Sequence, residues 1–164
     1  MSYKHTLNNI STFIFDVDGV LTDGSILVTE EGQLLRSMNI KDGFAIKTAI
    51  DKGYTVVIIS GGTNEGVRVR LNKLGVQEVH LGVKDKIKVL NEIAEKYKIS
   101  FDEMLYMGDD IPDIEPMNEC ALPSCPQDAV AEVKAVAQYI SHKEGGKGAV
   151  RDVIEQVMKV QGKW

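Results

Sequence analysis

A chain of 164 residues, 43% hydrophobic and 26% charged, can bury one core and is too apolar to remain unfolded, so it reads as a single domain over 1–164. Its net charge of −5 argues against a nucleic-acid or membrane-surface partner, although local cations or a metal would still admit a small anionic ligand. Cys120 and Cys125 make neither a disulfide framework nor a zinc site, no apolar run approaches the ~20 residues of a membrane span, and the opening MSYKHTLNNIS has no signal-peptide core; the expected setting is reduced and cytoplasmic.

In chain order, STFIFDV reads as a buried strand, and SILVTEEGQLLRSMNI as two short strands around a Glu-Glu-Gly turn. DGFAIKTAIDKG is a helix ending at Gly53, and the β-branched run YTVVIIS is a central strand. TNEGVRVRLNKLG sets Val67, Leu71 and Leu74 at helical spacing and stops at Gly75. EVHLG is a short strand. The segment after it carries Ile87, Leu90, Ile93 and Tyr97 on one helical face, and EMLYMG is again a strand. IPDIEPMNEC is a broken short helix, CALPSC a short strand and turn, DAVAEVKAVA a helix and QYIS a short strand. The closing helix holds Val150, Val153, Ile154 and Val157 on one side. This alternation predicts an α/β fold with a doubly wound, mostly parallel sheet and a β-hairpin inserted after the first strand. In such sheets ligands sit beyond the carboxyl ends of the strands, so those residues are the ones to compare.

Four strand ends carry chemistry. After the first come Asp16 and Asp18, which point the same way in extended chain and repel unless a cation intervenes; their oxygens suit Mg²⁺. An EF-hand loop is excluded because its twelfth position, which needs a bidentate Glu, is Leu27. After VVII come Ser60, Gly61 and Gly62 before a helix start, an ordinary turn or a place for phosphate oxygens. Lys86 begins a helix, where the dipole disfavours a cation. After MLYMG come Asp109, Asp110 and Asp113, of which a helix cap would explain one.

DVDGVLTDG, Ser60, Lys86 and GDDIPD together resemble the four motifs of the haloacid dehalogenase-like phosphohydrolases. NIKDG, VRVRLNKLG and GGKGAVRDV are similar to the capless 3-deoxy-D-manno-octulosonate 8-phosphate (KDO 8-phosphate) phosphatases, from about Ile10 to Trp164. The resemblance implies a Rossmann-like fold without a cap domain. It also implies an Mg²⁺-dependent phosphatase serving lipopolysaccharide biosynthesis, and a homotetramer in which a neighbour's hairpin and tail cover the site. The span between the first motif and Ser60, already used by a hairpin and a helix, leaves no room for a large cap. Asp16 would attack phosphorus to give an aspartyl-phosphate, and Asp18 would act as acid and then base. Mg²⁺ would be held by Asp16, the Asp18 carbonyl and Asp109, with Asp110 and Asp113 near it, while Ser60 and Lys86 hold the phosphoryl oxygens. Asn39, Lys41, Asp42, Gly43 and Lys47 would face the sugar acid, Arg70 its carboxylate, and Gly145, Gly146 and Gly148 would let the tail approach a ligand. Gly62 stands where many members have arginine. That leaves a nonulosonate 9-phosphate as an alternative substrate, and a phosphosignalling receiver is the alternative from another class.

Overall fold

The computed structural model describes residues 3–164. Three central strands explain the continuous apolar runs: β1 (Thr12–Phe15), β4 (Thr55–Ile59) and β6 (Met104–Met107). In β1, Phe13 and Phe15 pack into one layer and Ile14 into the other. In β4, Val56 and Ile58 oppose Val57 and Ile59; in β6, Leu105 and Met107 oppose Met104 and Tyr106. Side chains alternate across a strand, so a strand covered on both faces must be apolar throughout.

With β5 (Glu78–His80), β7 (Leu122–Cys125) and β8 (Tyr139–Ile140), these strands form one sheet in the order β5-β4-β1-β6-β7-β8, parallel at every pairing. The chain winds outward from β1 to β5 and then returns to build the other half, so a crevice opens beside β1 where the direction reverses. One face is covered by α1 (Tyr3–Leu7), α2 (Ile40–Asp51), α3 (Glu65–Lys73) and α7 (Ala149–Val160). The other is covered by α4 (Lys86–Tyr97), α5 (Ile114–Glu119) and α6 (Ala131–Val136).

Polar caps fix several helix starts. Asn39 accepts from the N–H groups of Lys41 and Asp42, so α2 begins at Ile40, two residues before the start expected from its apolar spacing. Asn64 caps α3 and Asp85 caps α4. The predicted hairpin is present as β2 (Leu27–Val28) and β3 (Leu34–Leu35), turned at Gly32 with φ +81°. It forms a separate two-stranded sheet. Its apolar side chains are exposed, Leu27 to 67% and Val28 to 63%, so among the described residues it lacks the covering that lengthens a strand. The hairpin and α2 fill the span between β1 and β4, which leaves no cap domain. No helix among the described residues is long and apolar enough to cross a membrane.

Candidate active site

The register of the sheet brings the strand ends together. Phe15 pairs with both Ile58 and Met107, and the Asp16 N–H donates to the Met107 carbonyl at 3.2 Å. The chain beyond these strands therefore lines one cavity of about 470 Å³, which contains Asp16, Asp18, Ser60, Gly61, Lys86, Asp109, Asp110 and Asp113.

Lys86 stands between two carboxylates, 3.2 Å from Asp16 Oδ2 and 2.8 Å from Asp113 Oδ1. This pairing accounts for a cation at a helix start. Burial pushes the ammonium's pKa down, but Asp16 and Asp113 more than reverse that and hold it above its ordinary value. Asp113 is fully buried and fully engaged. Besides Lys86 it accepts from the Tyr106 hydroxyl at 3.0 Å and from the backbone N–H groups of Asp109 and Asp110 at 3.0 and 3.4 Å. Its oxygens hold Lys86 and the Asp109 loop in place. The Asp110 carboxylate accepts from the Ile111 N–H and caps the 3₁₀ turn Ile111–Asp113.

Carboxylate oxygens of Asp16, Asp109 and Asp113 lie within 4.8 Å of one another. Burial raises the Asp16 carboxyl to about 7, with Asp113 adding to the shift and Lys86 opposing it. Burial, then Asp16, Asp113 and Asp110, raise Asp109 to about 8. Asp109 Oδ1 is buried without a hydrogen-bond partner. An orphaned carboxylate oxygen among other carboxylates is costly unless a cation completes the set, and an all-oxygen donor set fits a hard divalent ion such as Mg²⁺.

Gly19, directly after Asp18, makes this arrangement fit. It has φ +86°, and a Cβ there would lie 1.9 Å from Asp109 Oδ2. Thr22 Oγ1 accepts from the Gly19 and Gly24 N–H groups at 3.1 and 3.2 Å and so pins the loop. Arg36 stands at the end of the hairpin, and its guanidinium donates to both oxygens of Asp18. Along the chain Tyr106 reads only as a strand residue. No spacing rule points to Arg36 or Tyr106, because each becomes a site neighbour only through the fold.

The residues expected at the sugar acid do not join this cavity. Asn39 caps α2, and its amide donates to the Gly146 carbonyl at 3.3 Å. Asp42 is buried against α7, where Oδ1 accepts the Arg151 N–H at 2.9 Å; burial raises its carboxyl to about 6. Gly43 is small because a Cβ there would meet the Arg70 Nη2 at 2.8 Å and Leu74 at 3.4 Å. Lys47 is exposed and pairs with Asp51 at 3.3 Å. Lys41 lines a separate cavity with Asn39, Lys147 and Arg151. The NIKDG segment thus joins α2 to α3 and α7. Arg70 lines a cavity of about 500 Å³ next to the acidic one.

Gly145 and Gly146, expected to let the tail approach a ligand, approach the backbone of the first-motif loop in their own chain. A Cβ at 145 would lie 1.9 Å from the Gly19 carbonyl oxygen, and the Gly146 N–H donates to the Val20 carbonyl at 3.0 Å.

Comparison with known proteins agrees with this geometry. The sequence profile of the haloacid dehalogenase-like hydrolases matches residues 78–154. The 3-deoxy-D-manno-octulosonate 8-phosphate phosphatase KdsC of Salmonella typhi is 35% identical over 155 residues, which cover 94% of this chain and 82% of the relative. The crystal structure of the Moraxella catarrhalis 3-deoxy-D-manno-octulosonate 8-phosphate phosphatase, in complex with magnesium, phosphate and KDO, superposes with a TM-score of 0.94 at 31% identity, covering 97% of this chain and 91% of that one. The cobalt-bound enzyme of Haemophilus influenzae superposes with a TM-score of 0.92 at 31% identity, covering 96% and 92%. With its acids, serine and lysine gathered at the sheet's switch point and no cap above them, the chain belongs to the haloacid dehalogenase-like hydrolases, in the family of 3-deoxy-D-manno-octulosonate 8-phosphate phosphatases.

Proposed function

We propose that the chain hydrolyses KDO 8-phosphate to KDO and phosphate. The observation that carries this reading is the buried Asp16–Lys86–Asp113 chain beside the orphaned oxygen of Asp109. Asp16 is the nucleophile. Its Oδ1 is oriented by the Val17 N–H at 2.7 Å, and Oδ2 lies by Lys86. Attack forms the Asp16–phosphorus bond as the bond to the sugar oxygen breaks. Asp16, Asp109 and the Asp18 carbonyl would hold Mg²⁺, which when bound would offset the charge between an anionic nucleophile and an anionic ester.

Ser60 accepts the Gly62 N–H at 3.2 Å, which leaves its own proton to donate to a phosphoryl oxygen. Lys86 neutralises a second oxygen and the Gly61 backbone lines the same cavity. Asp18 gives its proton to the departing sugar oxygen and takes one from the water that then opens the acyl phosphate. Arg36 must release one Asp18 oxygen before a proton can sit there. Arg70, in the adjoining cavity, takes the carboxylate of the sugar acid. A phosphosignalling receiver would stop at the phosphorylated aspartate; an acid beside the nucleophile favours turnover.

The assembly we propose is a homotetramer, supported by the exposed apolar side chains of the hairpin and of Ile40 on α2. Light scattering after size exclusion tests it: a monomer overturns that part.

The reaction is tested by phosphate release from KDO 8-phosphate and from a nonulosonate 9-phosphate, with Mg²⁺ or with a chelator, beside Asp16→Asn. Mg²⁺-dependent turnover that prefers the eight-carbon ester and is abolished in the variant is expected. Turnover surviving Asp16→Asn overturns the mechanism.

A further inference from the structure

The reaction described above gives Arg36 no contact with substrate. Although Arg36 lies at the base of an exposed hairpin, its side chain is only 8% exposed. Nε donates to Asp18 Oδ1 at 2.6 Å, Nη2 to Asp18 Oδ2 at 3.2 Å and Nη1 to the Leu34 carbonyl at 3.3 Å. A guanidinium has five N–H donors in a rigid fork, so these bonds leave two for a ligand.

Gly62 borders this fork. A Cβ at 62 would lie 3.3 Å from Arg36 Nη2 and 3.1 Å from Asp18 Oδ2. Gly62 is not among the glycines with positive φ, so the backbone there does not demand glycine; a Cβ would only press the Asp18 and Arg36 tips aside by a few tenths of an ångström. Arg36 also lines the cavity that holds Arg70. Its guanidinium therefore stands at the boundary between the acidic cavity and that second, cationic one.

We infer that Arg36 is a specificity-determining residue that binds the polyhydroxylated leaving group of the ester beside Asp18, so that the sugar acid passes Arg36 on its way to Arg70. The inference rests on the phosphatase reading above. An ester seated on Asp16 places its bridging oxygen where Asp18 can protonate it. The next atoms of the leaving group then meet whatever flanks Asp18 on the side away from phosphorus, and that neighbour is the Arg36 fork. Its remaining N–H groups suit hydroxyl and carboxylate oxygens.

The test compares kcat/KM on KDO 8-phosphate and on propyl phosphate, whose leaving group needs the same proton but carries neither hydroxyls nor a carboxylate. Wild type, Arg36→Gln, Gly62→Arg and the double variant are measured, with thermal denaturation as the control for folding. Arg36→Gln is expected to lower the ratio between the two esters about 10- to 100-fold, the range for losing hydrogen bonds from a charged group. Gly62→Arg brings a guanidinium into the same space and is expected to recover much of that ratio in the Arg36→Gln background. In the wild-type background, where two cations compete for one place, it lowers activity. An equal fall on both esters means that Arg36 only orients Asp18 and overturns the inference, as does no fall at all. Absence of wild-type turnover of the sugar acid ester overturns the functional reading and this inference together.

Discussion

Replacing Asp42 by asparagine removes a buried charge while keeping the acceptor that caps α7. In the folded chain the carboxyl is raised by burial from 3.8 to about 6, against the opposing pull of the Arg151 and Gly148 N–H groups. Because the folded value is the higher one, the folded state holds the proton more tightly. The associated stability is complete at low pH and is lost as pH rises through the interval from about 4 to about 6. That interval corresponds to about 3 kcal/mol in full, of which about 2 kcal/mol disappears between pH 4.5 and pH 7.5. Asparagine carries no charge at either pH and escapes this loss. Urea denaturation of both proteins at the two pH values isolates the effect, since every other titrating group cancels in the difference. Relative to wild type, Asp42→Asn should gain about 2 kcal/mol on going to pH 7.5, or about 4–8 °C in Tm. If the two proteins instead run parallel within about 0.5 kcal/mol, Asp42 is not the desolvated cap described.

Asp113→Asn leaves one oxygen to serve the Lys86 ammonium, the Tyr106 hydroxyl and two backbone N–H groups; a loss of about 3 kcal/mol in chemical denaturation is expected, and less than about 1 kcal/mol contradicts the buried network. Gly19→Ala sets a methyl group against Asp109 and should weaken Mg²⁺ binding more than about tenfold by isothermal titration calorimetry, with the circular dichroism spectrum retained; unchanged affinity removes Asp109 from the ligand set. Metal binding requires ionised carboxylates, so Mg²⁺ affinity should climb with pH through the values of about 7 for Asp16 and about 8 for Asp109, and a flat profile from pH 6 to 9 argues against both as ligands.

The sheet was legible because β1, β4 and β6 are covered on both faces, and a strand so placed has to be apolar at every position. The acids were legible for the complementary reason: directly behind such strands, Asp16, Asp109 and Asp113 violate the pattern that burial imposes. Lys86 was marked by its conflict with a helix dipole, and its two carboxylate partners resolve the conflict. Arg36 and Tyr106 broke no local rule, so nothing in their surroundings along the chain marked them. NIKDG is ambiguous along the chain for a different reason. An Asn, a Lys and an Asp around a helix start look the same whether they grip a sugar or, like Asn39 and Asp42, cap and join helices. Only the position of α7 tells these apart, and α7 lies more than a hundred residues away.

The contact of Gly145 and Gly146 with residues 19–23 also sets an order of events during synthesis. The loop that carries the first acids is braced by a segment more than a hundred residues further along, so a ribosome-bound chain arrested before Gly145 holds Asp16, Asp18, Asp109, Asp110 and Asp113 and still lacks that support. Such an arrested chain should be unable to retain Mg²⁺, and it should gain that ability only once the glycines and the α7 residues that complete the core have emerged.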